Sequence, residues 1–119
     1  MMKIGFIGTG LMGLPMAKNL CKSGFKLKVF NRSINKAEPL KEFGAEISKT
    51  LGEVVKGNDF IITMLTDDTA VDAILNNSDL LENLKSGSTV IDMSSIKPTT
   101  ATKYGNSLKQ KSVNYLVIF

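Results

Sequence analysis

The stretch from residue 4 to residue 17, which reads IGFIGTGLMGLPMA, contains no charged side chain. Such a run could be the apolar segment of an export signal, or a buried strand that leads into a glycine-rich turn. Four glycines and Pro15 interrupt the run, and Lys18 and Lys22 stand where a cleavage site would need small residues. We therefore predict a buried strand, a tight turn and then a helix.

Short apolar runs alternate with helical patterns along the rest of the chain. Strands covered on both faces of a parallel sheet are almost continuously apolar, and parallel neighbours need a crossover, which is usually a helix. Strands are predicted at 4–8, 27–30, 60–65, 89–93 and 115–119, with a weak one at 45–47. Helices are predicted from the turn to Gly24 and over 33–44, 50–57, 69–75, a segment ending near 84, and about 98–108.

This alternation predicts an α/β fold: a Rossmann-type doubly wound parallel sheet in three layers. No internal linker or repeat divides the 119 residues, so residues 1–119 are interpreted as one domain. Pro39 falls inside the predicted helix over 33–44 and indicates a late start or a strained first turn there.

The glycines after the first strand form a G-x-G-x-x-G motif. Gly8 permits the tight turn, Gly10 lets the backbone approach a diphosphate, and Gly13 lets the helix pack close to the strand. The unpaired N–H groups at the start of the helix then hold the phosphates. The strand–turn–helix context predicts a dinucleotide site formed by Gly8, Thr9, Gly10, Leu11, Met12 and Gly13.

The residues after the second strand indicate which dinucleotide is bound. A carboxylate at this place selects NAD, and here Asn31, Arg32 and Ser33 stand instead. A guanidinium can pair with a 2′-phosphate, and Lys36 could add charge. We therefore predict NADP, with NAD less favoured. The alternative is that Arg32, the one arginine of the chain, is simply an exposed charge at the start of a helix.

Composition narrows the function further. The chain has no histidine, which excludes a histidine-ligated metal and a Ser-His-Asp triad within it, and we predict no metal site. The single Cys21 fits a reducing cytoplasm, and no apolar run is long enough to cross a membrane. The net charge of +4 comes from lysines spread along the chain, so we expect no nucleic-acid partner.

The chain resembles the β-hydroxyacid dehydrogenase family, which includes 3-hydroxyisobutyrate dehydrogenase, glyoxylate/succinic semialdehyde reductase and, more remotely, 6-phosphogluconate dehydrogenase. The resemblance rests on GFIGTGLMGLPMAKNL, VFNRSINKAEPL, GAEIS, FIITMLTDDTAVDAIL and GSTVIDMSSIKPTT, and covers residues 3 to about 111. It implies an N-terminal NAD(P)-binding domain of an oxidoreductase. The N-R-S sequence is similar to the NADP-preferring semialdehyde reductases, in which N-R-T is usual.

The resemblance also implies roles for particular residues. Met64, Leu65 and Thr66 would line the nicotinamide side of the cofactor, and Val71 would close over it.

The two hydroxyl residues that follow the strand at 89–93 have an implied role as well. Ser94 and Ser95 would reach the substrate, and Ser95 also the cofactor; the alternative for both is helix capping ahead of Pro98. Asp67 and Asp68 are interpreted as first-turn helix acids.

Part of the family pattern has no counterpart in this sequence. The family continues from the last strand into a D-A-P-V-S-G-G-like segment and a helical domain with a catalytic lysine motif, whereas this chain reads VNYLVIF. We therefore expect a truncated member with no catalytic residue, which binds cofactor without turnover. A small hydroxy acid or semialdehyde would bind only if the second domain were supplied.

Two further possibilities concern partners rather than chemistry. The chain could be a non-catalytic nucleotide-binding or interaction module that needs a partner chain. Its apolar last strand could also mediate self-association, because an exposed apolar surface is prone to bind other surfaces.

Overall fold

The fold is described from a computed structural model, which describes residues 2–8 and 13–118. The strands are β1 (Lys3–Ile7), β2 (Lys26–Phe30), β3 (Glu46–Ile47), β4 (Phe60–Thr63), β5 (Thr89–Asp92) and β6 (Asn114–Val117). The helices are α1 (Gly13–Lys22), α2 (Ile34–Ala37), α3 (Leu51–Val55), α4 (Asp68–Leu75), α5 (Ser78–Asn83) and α6 (Pro98–Lys109), and a 3-10 helix spans Glu38–Phe43.

All six strands pair in parallel in the order β3-β2-β1-β4-β5-β6. The order reverses direction between β1 and β4, because β2 and β3 lie on one side of β1 while β4, β5 and β6 lie on the other. The predicted doubly wound α/β fold is confirmed. In such sheets ligands bind outside the carboxyl ends of the strands at the point of reversal, which here is the end of β1.

Two apolar clusters bury the two faces of the sheet. One cluster contains Ile7, Ile61 and Val90 from the strands together with side chains of α3, α4, α5 and α6. The other contains Phe6 and Val29 with side chains of α1, α2 and the 3-10 helix. Covering on both faces explains why the strands are almost continuously apolar in sequence.

The prediction of one helix over 33–44 is corrected in its interior. The α-helix α2 ends at Ala37, and the chain continues as the 3-10 helix with Pro39 in its first turn. Proline has no N–H to donate to a carbonyl one turn earlier, and its ring crowds that carbonyl, so an α-helix through Pro39 is disfavoured. Ala37 and Leu40 are nevertheless buried, as the pattern predicted.

Four lysines from three separate parts of the sequence meet near the amino ends of the strands. Lys3 and Lys26 are register partners on β1 and β2, and they line a depression of about 260 Å³ with Lys28, Lys56 and other residues. Lysines that are spread along the sequence are therefore clustered at this part of the surface. Among the described residues, no helix is long and apolar enough to cross a membrane.

Candidate functional site

A cleft of about 480 Å³ opens at the carboxyl end of β1, where the strand order reverses. The cleft brings together the ends of β1 and β2, the segment after β4 and one side of α4. Its lining residues are Ile7, Gly8, Phe30, Asn31, Arg32, Leu51, Leu65, Thr66, Asp67, Thr69, Ala70, Ala73 and Ile74.

Gly8 and Gly13 form a close junction between β1 and α1. Gly8 has a φ of 99°, and a Cβ there would overlap the carbonyl oxygen of Met64. A Cβ on Gly13 would lie 2.5 Å from the carbonyl oxygen of Gly8. Both positions therefore require glycine, one for backbone conformation and close approach, the other for helix–strand packing. The predicted contacts of Thr9, Gly10, Leu11 and Met12 lie outside the described residues.

The segment after β2 brings Asn31 and Arg32 to the cleft. The Arg32 side chain is exposed at the rim, and the Asn31 amide donates a hydrogen bond of 2.8 Å to the Ser33 carbonyl. The Lys36 N–H donates to the same carbonyl at 3.0 Å. Ser33 and Lys36 are exposed next to the cleft and are not among its lining residues.

The segment after β4 contributes Leu65 and Thr66 to the cleft, and their contact with the nicotinamide side stays a prediction. Met64 packs against the cluster that contains Phe6, and contributes its carbonyl group beside Gly8.

The structure corrects the placement of Val71. Its side chain is 0% exposed within the core cluster around Ile7, so it does not line the cleft. Ala70, Ala73 and Ile74 form the cleft side of α4 instead. Sequence reasoning missed them, although their i, i+3, i+4 spacing is a helical face and the two alanines leave room for a ligand.

A second depression of about 480 Å³ lies at the carboxyl ends of β5 and β6 and contains Ser94 and Ser95. Ser95 is exposed, whereas Ser94 is 3% exposed and its Oγ accepts a hydrogen bond of 2.8 Å from the Leu65 N–H. The alternative prediction, that Ser94 or Ser95 caps α6, is wrong. Lys97 occupies the N-cap position, and its N–H donates to the Asp68 carboxylate at 3.0 Å.

Asp67 and Asp68 act at helix starts, as interpreted from the sequence. The Asp67 carboxylate caps α4 by accepting from the Ala70 N–H at 2.9 Å. Asp68 lies in the first turn of α4 and also receives the Lys97 N–H at the start of α6. A hydrogen bond from Thr100, and then that from Lys97, lower the pKa of the Asp68 carboxyl. The described residues contain no group of three or more histidine, cysteine, aspartate or glutamate side chains that could hold a metal ion.

The described part of the site fits a dinucleotide because a cleft of about 480 Å³ opens at the reversal point, where ligands of such sheets bind. The two glycines leave the backbone at the end of β1 without side chains, beside a cleft at the reversal point. Gly8, Asn31, Arg32, Leu65 and Thr66 are the predicted residues that the structure brings together around it.

Comparison with known proteins agrees with this geometry. Residues 3–118 match the family described as the NAD binding domain of 6-phosphogluconate dehydrogenase. Glyoxylate/succinic semialdehyde reductase 1 of Arabidopsis thaliana is 34% identical over 116 residues, which cover 97% of this chain and 40% of that protein.

Solved structures show the same fold. An imine reductase of Myxococcus stipitatus in complex with NADP+ has a TM-score of 0.89 and 28% identity, covering 98% of this chain and 40% of that one. A variant of that enzyme is solved with NAD+ at 26% identity. The 3-hydroxyisobutyrate dehydrogenase of Mycobacterium tuberculosis has a TM-score of 0.90 and 28% identity, with coverage of 98% and 40%.

The chain thus spans about 40% of the length of the semialdehyde reductase, the imine reductase and the 3-hydroxyisobutyrate dehydrogenase. The predicted resemblance is confirmed, because the family match covers almost the whole sequence and the relatives include a semialdehyde reductase and a 3-hydroxyisobutyrate dehydrogenase. The chain belongs to the family of NAD-binding domains typified by that of 6-phosphogluconate dehydrogenase.

Proposed function

We propose that this NAD(P)-binding domain prefers NADP over NAD, and that it forms the cofactor half of an oxidoreductase acting on a small β-hydroxy acid and its semialdehyde or keto form. The observation that carries the proposal is the cleft at the end of β1, whose lining includes Gly8, where only glycine fits, and the exposed Arg32. The bound cofactor would supply a hydride. The protein supplies binding and orientation.

Arg32 supports the preference for NADP. It stands at the rim of the cleft directly after β2, where a carboxylate would select NAD. A guanidinium pairs with a phosphate through parallel hydrogen bonds, and Lys36 lies one helical turn further on with its side chain exposed. The Asn31 amide contacts the Ser33 carbonyl, which ties the two flanking residues together around Arg32.

Ser94 and Ser95 support the assignment of the substrate to the second depression. This depression lies at the same edge of the sheet as the cofactor cleft, and the hydrogen bond from Leu65 to Ser94 connects the two. Reduction of a carbonyl needs a group that protonates the developing alkoxide. No lysine of this sequence stands in the family's catalytic motif, so we propose that residues 1–119 bind cofactor without appreciable turnover.

With one partly buried cysteine, the domain fits a cytoplasmic protein.

Calorimetric titration of charge variants tests the role of Arg32. Arg32→Ala should weaken NADPH binding about 10–100-fold, as expected for the loss of a charge-assisted pair, and leave NADH binding nearly unchanged. Lys109→Ala is the matched control, because it removes the same charge from the exposed far end of α6. Equal weakening of NADPH binding by both variants would show that Arg32 acts only through the overall positive charge and not through a specific contact with the cofactor.

Turnover is tested separately with NADPH and either glyoxylate or succinic semialdehyde. We expect no oxidation of NADPH above the rate without protein. Reduction at an ordinary enzymatic rate by residues 1–119 would contradict the proposal that they bind without turnover.

An interaction module is the second candidate function, and β6 favours it. This strand lies at the edge of the sheet, and Leu116 and Ile118 are 55% and 49% exposed. An apolar edge strand is a surface on which another strand can pair. A polypeptide that binds this edge and restores reductase activity would support a role in a two-chain enzyme.

A further inference from the structure

A line of hydrogen bonds runs from the edge strand β6 to the cofactor cleft. The Tyr115 hydroxyl donates to Asp92 Oδ2 at 2.6 Å, and the Ser94 N–H donates to Asp92 Oδ1 at 2.9 Å. The Leu65 N–H then donates to Ser94 Oγ at 2.8 Å. These three bonds connect, one after the other, β6, the end of β5 with the residue Ser94 that follows it, and the segment after β4.

The Asp92 carboxylate is held on both oxygens. Asp92 is 0% exposed, and a buried carboxylate is costly unless hydrogen bonds satisfy it. Because Tyr115 occupies Oδ2, it fixes the rotation of the carboxylate and so the place of Oδ1, which in turn holds the Ser94 backbone. Burial, and then the contact with Asp92, raise the pKa of the Tyr115 hydroxyl, so it remains a protonated donor in the neutral range.

The other end of the line is a wall of the cleft. The Leu65 N–H lies beyond β4, which ends at Thr63, so the Ser94 hydroxyl directs the backbone as it leaves the strand. This backbone lies against Gly8: a Cβ on Gly8 would overlap the Met64 carbonyl oxygen and lie 3.2 Å from Leu65 Cδ2. A shift of residues 64–65 would therefore move the surface that Gly8 and Leu65 present to the cofactor.

We infer that Tyr115 is a positioning residue for cofactor binding, which acts through Asp92 and Ser94 on the Leu65 wall of the cleft. The inference rests on the proposed function for its consequence, which is cofactor affinity. The coupling between Tyr115 and Leu65 runs through hydrogen bonds within the chain, so it does not depend on a bound ligand.

The chain offers a matched control in its second tyrosine. Tyr104 also donates its hydroxyl to a carboxylate, that of Asp72, and accepts from Asn76 at 2.9 Å. These residues tie α4 to α6 and are not among the residues that line the cleft. Tyr104→Phe and Tyr115→Phe therefore remove the same group from the same kind of partner, at places that differ in their connection to Leu65.

The first measurement is amide hydrogen exchange at Leu65 in the absence of cofactor. We expect Tyr115→Phe and Ser94→Ala to raise the exchange rate of the Leu65 amide about tenfold, and Tyr104→Phe to leave it unchanged. The Met64 amide, which donates to the Ile7 carbonyl, is an internal reference that should stay protected in all variants. An unchanged Leu65 rate in Tyr115→Phe would overturn the inference.

The second measurement is NADPH affinity by calorimetry, at a temperature at which every variant is folded. Tyr115→Phe should weaken binding about fivefold and Ser94→Ala about tenfold, or about 1 and 1.4 kcal/mol. Loss of stability in Tyr115→Phe with unchanged affinity would give Tyr115 a merely structural role and overturn the inference. Failure of the unmodified chain to bind NADPH would instead refute the proposed function, while the Leu65 exchange rates still decide the coupling.

Discussion

Replacement of Gly13 by alanine tests the geometry of the cofactor cleft. Gly13 is buried at the start of α1, and a Cβ there would lie 2.5 Å from the Gly8 carbonyl oxygen, about half an ångström inside the closest tolerated approach. The obstacle is backbone, which cannot rotate away as a side chain would. Overpacking of this kind costs about 1–3 kcal/mol, and alanine returns at most about 1 kcal/mol through helix propensity.

We therefore expect Gly13→Ala to lower the free energy of unfolding by about 1–2 kcal/mol and the melting temperature by about 4–10 °C. The displaced Gly8 peptide should also weaken NADPH binding. Gly105→Ala is the matched control, because Gly105 lies inside α6 and a Cβ there would meet only the Tyr115 ring, at 3.9 Å. That variant should be more stable by about 0.5–1 kcal/mol and bind NADPH normally.

Thermal denaturation followed by circular dichroism, with and without NADPH, makes the comparison. A Gly13→Ala variant that is as stable as Gly105→Ala and binds NADPH with unchanged affinity would show that the junction at Gly13 tolerates a Cβ. If Gly13→Ala were as stable as the unmodified chain but bound NADPH more weakly, the added Cβ would disturb the glycine-rich turn without lowering the stability of the fold.

Three further variants test other contacts. Gly52→Ala should lower the free energy of unfolding by about 0.5–1 kcal/mol in chemical denaturation, less than Gly13→Ala, because the Asp79 carboxylate can rotate away from the new Cβ but then gives up the hydrogen bond of 2.8 Å from the Gly52 N–H; a loss as large as that of Gly13→Ala would contradict this. The lowered pKa of Asp68 predicts stability that is present above its unfolded pKa of about 4 and lost as the pH falls through the folded value, so acid denaturation of Asp68→Asn should depend less on pH in that range than that of the unmodified chain. Leu116→Lys should reduce any concentration-dependent self-association seen by sedimentation, because Leu116 is exposed on the edge strand; equal association would exclude this edge.

The fold could be predicted from the sequence because its signals are local and repeated. Apolar runs flanked by helical patterns indicated a parallel sheet, and the glycine motif located the reversal point at the end of β1. The break in the helix over 33–44 was signalled only by Pro39, whose effect on the helix depends on packing around it. The 3-10 geometry lets the chain keep Ala37 and Leu40 buried while it accommodates the proline.

The candidate site was predicted less completely, and the reason differs from residue to residue. Val71 and Ala70 are neighbours on α4, and only the rotation of that helix against the sheet decides which of them faces the cleft. The resemblance to the family assigned Ser94 to substrate binding. The hydrogen bond from Leu65 to Ser94 could not be predicted, because it joins the ends of two strands that are far apart in sequence. The contact between Tyr115 and Asp92 is of the same kind, and no local pattern indicates it.

The most direct test of the account is calorimetric titration of the unmodified chain with NADPH and with NADH under the same buffer and salt conditions. We expect one site per chain and tighter binding of NADPH by about tenfold or more, because only NADPH carries the 2′-phosphate that Arg32 would contact. Equal affinity for the two dinucleotides would contradict the role of Arg32, and absence of binding to both would contradict the proposed function.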